Sequence, residues 1–158
     1  MNILVLCTGN SARSIILETL LNAADPGRIR AWSAGSHPAG AVHPNSLRIL
    51  ADHGHDTAAL RSKSWDVFAA SDAPQMDAVI TVCDSAAAET CPIWPGAPVQ
   101  VHWGVPDPAA APETEQPAAF AATYDIFARR VAALMARDPA ALPPGALKRA
   151  LTEIGQTA

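Results

Sequence analysis

Apolar positions along the chain fall into short unbroken runs and longer runs with helical spacing, and the two kinds alternate. Ile3-Leu4-Val5-Leu6 is unbroken, stops at Cys7 and gives way to the mostly polar stretch Thr8-Gly9-Asn10-Ser11-Ala12-Arg13-Ser14. Ile15, Ile16, Leu17, Leu20 and Leu21 then recur at helical intervals. A short continuous apolar run suits a strand buried on both faces, and recurrence every three or four residues suits a helix. The opening therefore predicts a strand, a tight loop and a helix over about 11–24, ended by Asp25-Pro26-Gly27, where proline and glycine cannot continue it.

The alternation continues downstream. A short strand is expected over 28–33, a loop over 34–40, and a helix opened by Pro44 that fades at His53-Gly54-His55. A polar turn and short helix follow over 61–68, then strands over 77–82 and 99–103 and a low-complexity loop over 109–117. A long helix over 118–136 has Phe120, Tyr124, Phe127, Val131 and Leu134 as its apolar face, with Arg129 and Arg130 read as solvated, and a last helix over 142–154 has no assigned task. Strands alternating with helices predict an α/β layered domain with a mostly parallel sheet and right-handed crossovers. Ligands of such sheets sit beyond the carboxyl ends of the strands. Those ends carry Cys7, Cys83 and the turn holding Asp107.

Composition narrows the function classes. With 158 residues one domain is expected. A net charge of -4 with scattered basic residues argues against nucleic-acid or anionic-membrane binding. No apolar stretch approaches the roughly 18 residues of a membrane span, and no signal segment is evident, so a cytoplasmic location is expected. Three cysteines in a reducing compartment suggest chemistry more than scaffolding. A zinc site is disfavoured because His37, His43, His53, His55 and His102 are dispersed and no Cys-x-x-Cys pair occurs.

Cys7 and Arg13 are separated by five residues, a spacing at which Thr8, Gly9, Asn10, Ser11, Ala12, Arg13 and Ser14 can wrap a tetrahedral oxyanion. Backbone N–H groups line such a loop and a bidentate guanidinium closes it. A thiol facing a helix N-terminus is drawn toward thiolate, which makes Cys7 a nucleophile rather than a small buried hydrophobe at a strand end. Gly9 allows close backbone approach, the Ser14 hydroxyl is placed to donate to the thiolate, and Asn10 to pin the loop. Trp65, Trp94 and Trp103 flank loops, where they either line a docking surface or fill the core.

With Cys-Thr-Gly-Asn-Ser-Ala-Arg-Ser at 7–14, Trp32-Ser33-Ala34-Gly35, Val82-Cys83 through Cys91-Pro92-Ile93-Trp94-Pro95, and His102-Trp103-Gly104 before Asp107-Pro108, the chain resembles the low-molecular-weight tyrosine-phosphatase superfamily. Within it, the resemblance is to arsenate reductases of the thioredoxin-coupled type. It implies a three-layer fold with a four-stranded parallel sheet flanked by helices. The catalytic domain would cover 1–141, with 142–158 a helical tail of the same domain. It further implies Asp107 as general acid and a relay from Cys7 through Cys83 to a Cys83–Cys91 disulfide, after movement of the seven-residue spacer between the two cysteines. Arsenate would be the substrate of a monomeric enzyme without cofactor, with phosphate or sulfate as mimics. Thioredoxin, or a glutaredoxin with a small thiol, would be the reductant. Asn10, Glu18 and Ser33 match positions that surround potassium in some relatives. The phosphatase branch usually carries tyrosines after Asp-Pro, whereas Ala109-Ala110-Ala111 follows here. Two alternatives stay open: a phosphomonoesterase in which water hydrolyses a phosphocysteine, and a non-enzymatic oxyanion-binding or redox-sensing module.

Overall fold

Strand β1 (Asn2–Cys7) runs through the interior of a four-stranded sheet between β2 (Arg30–Gly35) and β3 (Ala78–Thr81), with β4 (Val99–His102) beyond β3. All three pairings are parallel. The computed structural model describes residues 1–157. Ile3, Leu4, Val5 and Leu6 have no exposed surface, as a strand covered on both faces requires. On one face Ile3, Val5 and Ile80 pack against α1 (Arg13–Ala24), α2 (Pro44–Asp52), α5 (Gln116–Met135) and α6 (Pro144–Gly155). The other face is thinner. There Leu4, Leu6 and Val79 meet Phe68 of α3 (Asp66–Ala69), Met76 and Trp94. One further short helix, α4 (Asp84–Ala88), follows Cys83 directly.

Strand order explains where a ligand would sit. From β1 the chain moves to β2 on one side, then returns to β3 on the other, so connections diverge beyond the carboxyl ends of β1 and β3. Cys7 is the last residue of β1, and Cys83 lies two residues beyond the end of β3.

Local hydrogen bonds fix the element boundaries. The Asp25 carbonyl accepts the amides of Arg28 (3.1 Å) and Ile29 (2.9 Å), so 25–29 is a turn and β2 starts at Arg30, later than the sequence suggests. Asn22 of α1 then pairs through its side-chain amide with the backbone N–H and C=O of Ala31, at 2.8 and 2.9 Å. At α2 the His43 Nδ1 accepts the Asn45 amide (3.1 Å) with Pro44 in the first turn, which caps the helix start. The expected loop over 109–117 contains two short 3₁₀ turns, Pro108–Ala110 and Glu113–Glu115.

Two readings of the sequence need correction. Arg130 is buried, because its guanidinium donates to the carbonyls of Trp103 (3.1 Å) and Thr157 (2.8 Å) and so satisfies the end of β4 and the C-terminal segment. Helical periodicity places Arg130 beside Phe127 and Val131, and a buried charge is tolerated only with such partners. The last helix also has a clear structural role. Leu147, Leu151 and Ile154 of α6 join the main core, and Trp103 Nε1 donates to the Leu151 carbonyl at 2.8 Å. The tryptophans serve packing: Trp103 is fully buried, and Trp65 meets Trp94 edge-on at 6.2 Å.

Two backbone positions generate stability predictions. At Gly35 an added Cβ would lie 2.3 Å from the Thr8 carbonyl oxygen and 2.8 Å from that of Cys7. Gly35→Ala is expected to cost about 1–3 kcal/mol, the usual range for overpacking, in denaturant unfolding, and an unchanged midpoint contradicts this. Ala97 has φ 47°, in the left-handed region, directly after Gly96. Ala97→Gly is expected to raise stability by up to about 1 kcal/mol, and a loss of stability in the same assay contradicts it.

Candidate oxyanion site

Between β1 and α1 the backbone turns its carbonyls outward and ties them down. Thr8 O accepts the His37 amide (2.9 Å), Gly9 O the Ala39 amide (2.9 Å) and Ser62 Oγ (3.2 Å), and Ser11 O the His43 amide (3.0 Å) and Ser46 Oγ (2.9 Å). Asn10 makes this curvature possible with φ 45°, a left-handed conformation that asparagine adopts more readily than most residues. Its side chain is fully buried. Asn10 Oδ1 accepts the Lys63 amide (2.9 Å), and Nδ2 donates to Ser14 Oγ and Ser33 Oγ, both at 2.9 Å. Ser14 Oγ accepts from Asn10 here, which leaves its own hydroxyl proton free for the donation to the thiolate expected of it. Since the loop occupies residues 8–12, α1 begins at Arg13 rather than Ser11.

With the carbonyls facing out, the amides face in. Among the described residues, the N–H groups of residues 10–14 meet no protein acceptor. Arg13 closes the ring: one guanidinium nitrogen donates to the Val105 carbonyl (3.0 Å), another lies 3.8 Å from Asp107 Oδ2, and Nε is buried without an acceptor. Cys7, Cys83, Asp107 and the loop line a cavity of about 260 Å³. Unpartnered N–H groups and a guanidinium around a small cavity have the geometry and charge that suit a tetrahedral oxyanion.

Two sulfurs share this cavity. Cys7 and Cys83 are 6 % and 4 % exposed, and all three cysteines are free thiols. Cys83 Sγ accepts from the amides of Thr8 and Ala86, each at 3.4 Å, and lies 3.6 Å from Thr8 Oγ1. A hydrogen bond with Cys83, together with burial, pushes the Cys7 thiol up, opposed by Arg13 and the Gly9 amide. The same bond, with help from Ala86 and Thr8, pulls Cys83 down to about 5 against its burial. The pair behaves as one thiol and one thiolate sharing a proton, so the first proton leaves readily and the second with difficulty.

Asp107 faces Arg13 across the mouth and also caps the turn that follows, its Oδ1 accepting the Ala109 amide at 3.0 Å. Cys91 stands apart. It is half-buried against the second face of the sheet near Trp94, and burial and the Glu89 charge push its thiol up. The structure therefore brings Cys7, Arg13, Cys83 and Asp107 to one cavity and holds Cys91 at the far end of the 84–91 segment.

Glu18 and Ser33 form a hydrogen-bonded cluster with Asn10 beneath the loop. Burial pushes the Glu18 carboxyl up, opposed by Lys63, Ser33 and Arg61. Potassium takes oxygen ligands, but Asn10 turns its NH₂ toward Ser33 and commits its oxygen to Lys63. The cluster as arranged does not fit a cation, and no chemical step is assigned to one.

Two contacts went unnoticed in the sequence. Thr8 Oγ1 donates to Glu89 Oε1 at 3.2 Å, across 81 positions of chain and without any local motif. His102 bonds Asp84 Oδ1 (3.0 Å) and Thr81 Oγ1 (2.8 Å), lying where a side chain on Gly104 would collide with it. The His102-Trp103-Gly104 run was the available signal for the second of these.

Comparison with known proteins agrees with the fold and the loop. The family model for low molecular weight phosphotyrosine protein phosphatase matches residues 2–142. An arsenate reductase of Halalkalibacterium halodurans is 34% identical over 128 residues, covering 80% of this chain and 88% of that one. The structure of an arsenate reductase from Archaeoglobus fulgidus superposes with a TM-score of 0.62 and 27% identity, covering 82% of this chain and 98% of that chain. A low-molecular-weight phosphotyrosine phosphatase from Vibrio cholerae shares the fold with a TM-score of 0.67 at 19% identity, covering 90% of this chain and 99% of that one. With the strand–loop–helix site, the sheet order and these matches in agreement, the chain belongs to the low-molecular-weight phosphotyrosine protein phosphatase family.

Proposed function

We propose that this protein reduces arsenate to arsenite through a relay of Cys7, Cys83 and Cys91. The observation that carries the reading is the second sulfur: Cys83 Sγ accepts the Thr8 amide at 3.4 Å, inside the same cavity as Cys7. Hydrolysis of a phosphocysteine needs one thiol and water, whereas reduction of an adduct needs a second thiol to take up the oxidised sulfur. Relatives named arsenate reductase at 34% identity add support.

In the first step the Cys7 thiolate attacks arsenate held by the loop amides and Arg13, and Asp107 protonates the departing oxygen, which leaves as water. In the second the Cys83 thiolate attacks Cys7 Sγ. A sulfur–sulfur bond forms, the sulfur–arsenic bond breaks, and its electron pair stays on arsenic, which leaves as arsenite. In the third the Cys91 thiolate attacks Cys83 Sγ and releases Cys7 as thiolate, leaving a Cys83–Cys91 disulfide. A disulfide end product calls for a dithiol reductant of the thioredoxin type, or for a small thiol with a glutaredoxin. Cys91, the one cysteine of the three that is not fully buried, is where that reductant attacks.

Phosphomonoester hydrolysis is a second reading of the same loop, supported by Cys7, Arg13 and Asp107, which suffice for its first half. The run Ala109-Ala110-Ala111 beside the mouth provides no aromatic wall for an aryl ester.

Cysteine variants separate the two readings. With arsenate and a thioredoxin system, Cys83→Ser and Cys91→Ser are expected to lose multiple turnover while keeping cleavage of p-nitrophenyl phosphate, and Cys7→Ser to lose both. Full turnover in either of the first two would sink the relay. Asp107→Asn is expected to slow the first step by ~10²–10⁴-fold, the usual worth of a positioned acid, and a rate equal to the parent's would remove Asp107 from the chemistry.

A further inference from the structure

We propose that Glu89 decides which of the two sulfurs in the cavity carries the negative charge, by claiming the single proton of the Thr8 hydroxyl. The inference rests on the relay order given above, in which Cys7 strikes first and Cys83 second. Thr8 Oγ1 lies between two acceptors, 3.2 Å from Glu89 Oε1 and 3.6 Å from Cys83 Sγ. A hydroxyl has one proton, and an ionised carboxylate can only accept. While Thr8 donates to Glu89 it therefore shows Cys83 only lone pairs, which suit an S–H and repel a thiolate.

Two proton arrangements follow, differing by rotation of one O–H bond. With the proton on the Glu89 side, Cys83 keeps its bond with Cys7 and the amide donors of Thr8 and Ala86, and faces a nearby carboxylate charge. Arg13 and the Gly9 amide, which oppose the rise of the Cys7 thiol, then draw the shared charge toward Cys7, where arsenate is attacked. With the proton turned to sulfur, Cys83 gains the Thr8 hydroxyl as a further donor and becomes the thiolate. Once an oxyanion caps Cys7 and removes its charge, this second arrangement prepares Cys83 for its own attack. Glu89 is thus a positioning residue that acts through Thr8.

The other charged groups around the pair are already engaged elsewhere. Arg13 binds the Val105 carbonyl and faces Asp107, and Asp84, although adjacent to Cys83, is bonded to His102. Glu89 is the carboxylate in hydrogen-bonding contact with Thr8, and its half-exposed position at the end of α4 allows substitution without disturbing the core.

The test reads the thiols directly. The fully reduced protein is alkylated with limiting iodoacetamide across the neutral pH range, and the label on Cys7 and Cys83 is quantified by peptide mass spectrometry. In Glu89→Ala the Cys7-to-Cys83 labelling ratio is expected to fall about tenfold, the worth of one hydrogen bond to a charged group. The labelling midpoint should move up for Cys7 and down for Cys83. Glu89→Gln should shift the ratio in the same direction by less, because it keeps the shape and loses the charge. In a Thr8→Val background, where only the direct charge effect of Glu89 is left, both shifts should be much smaller. An unchanged ratio in Glu89→Ala, or an equal shift with and without the Thr8 hydroxyl, overturns the proposal. Labelling needs no arsenate, so a shifted ratio in a protein that fails to release arsenite would fault the reductase reading alone.

Discussion

The functional part of this molecule depends on how the carbonyls of the loop after β1 are held. Thr8, Gly9 and Ser11 point their oxygens away from the cavity because neighbouring backbone and serine groups accept the task of satisfying them. A backbone amide that has lost its usual carbonyl partner is costly unless something else takes its place. The loop therefore presents a set of N–H donors that an anion of the right size would satisfy together, and Arg13 Nε adds one more. Gly35, Asn10 and the 36–43 and 61–63 segments matter because they keep that set in position.

Sheet order places chemistry on this anion site. The divergence of connections between β1 and β3 opens a crevice, and each strand delivers a cysteine to it. Bringing two thiols into one small cavity has an electrostatic consequence. Only one of them can readily be ionised, so the protein must settle which one is charged at each stage. A single hydroxyl between Cys83 and Glu89 is an inexpensive means of doing so, since it needs no backbone movement. The third cysteine lies against the other face of the sheet, where burial and the Glu89 charge push its thiol up.

Much of this was legible in the sequence, for identifiable reasons. The unbroken run Ile3–Leu6 and the spaced run after it report burial and periodicity directly, and they locate β1, the loop and α1. Cys7 and Arg13 lie six positions apart, so their meeting is a local matter. Contacts across long stretches were not legible. The pairing of Thr8 with Glu89 depends on how two loops pack, and the burial of Arg130 depends on carbonyls supplied by Trp103 and Thr157. The amide of Asn10, fixed by Lys63, likewise shows its nitrogen where the family resemblance implied a cation ligand.

In the proposed relay, the electrons for arsenate reduction come from this chain's own thiols in a defined order. A single-turnover experiment tests it most directly: fully reduced protein is mixed with arsenate with no other reductant present, arsenite is counted, and the disulfides are mapped by peptide mass spectrometry. The relay predicts one arsenite released per chain, a Cys83–Cys91 disulfide and a free Cys7. Absence of arsenite with all three cysteines still reduced, or arsenite released with Cys83 and Cys91 unpaired, would contradict it.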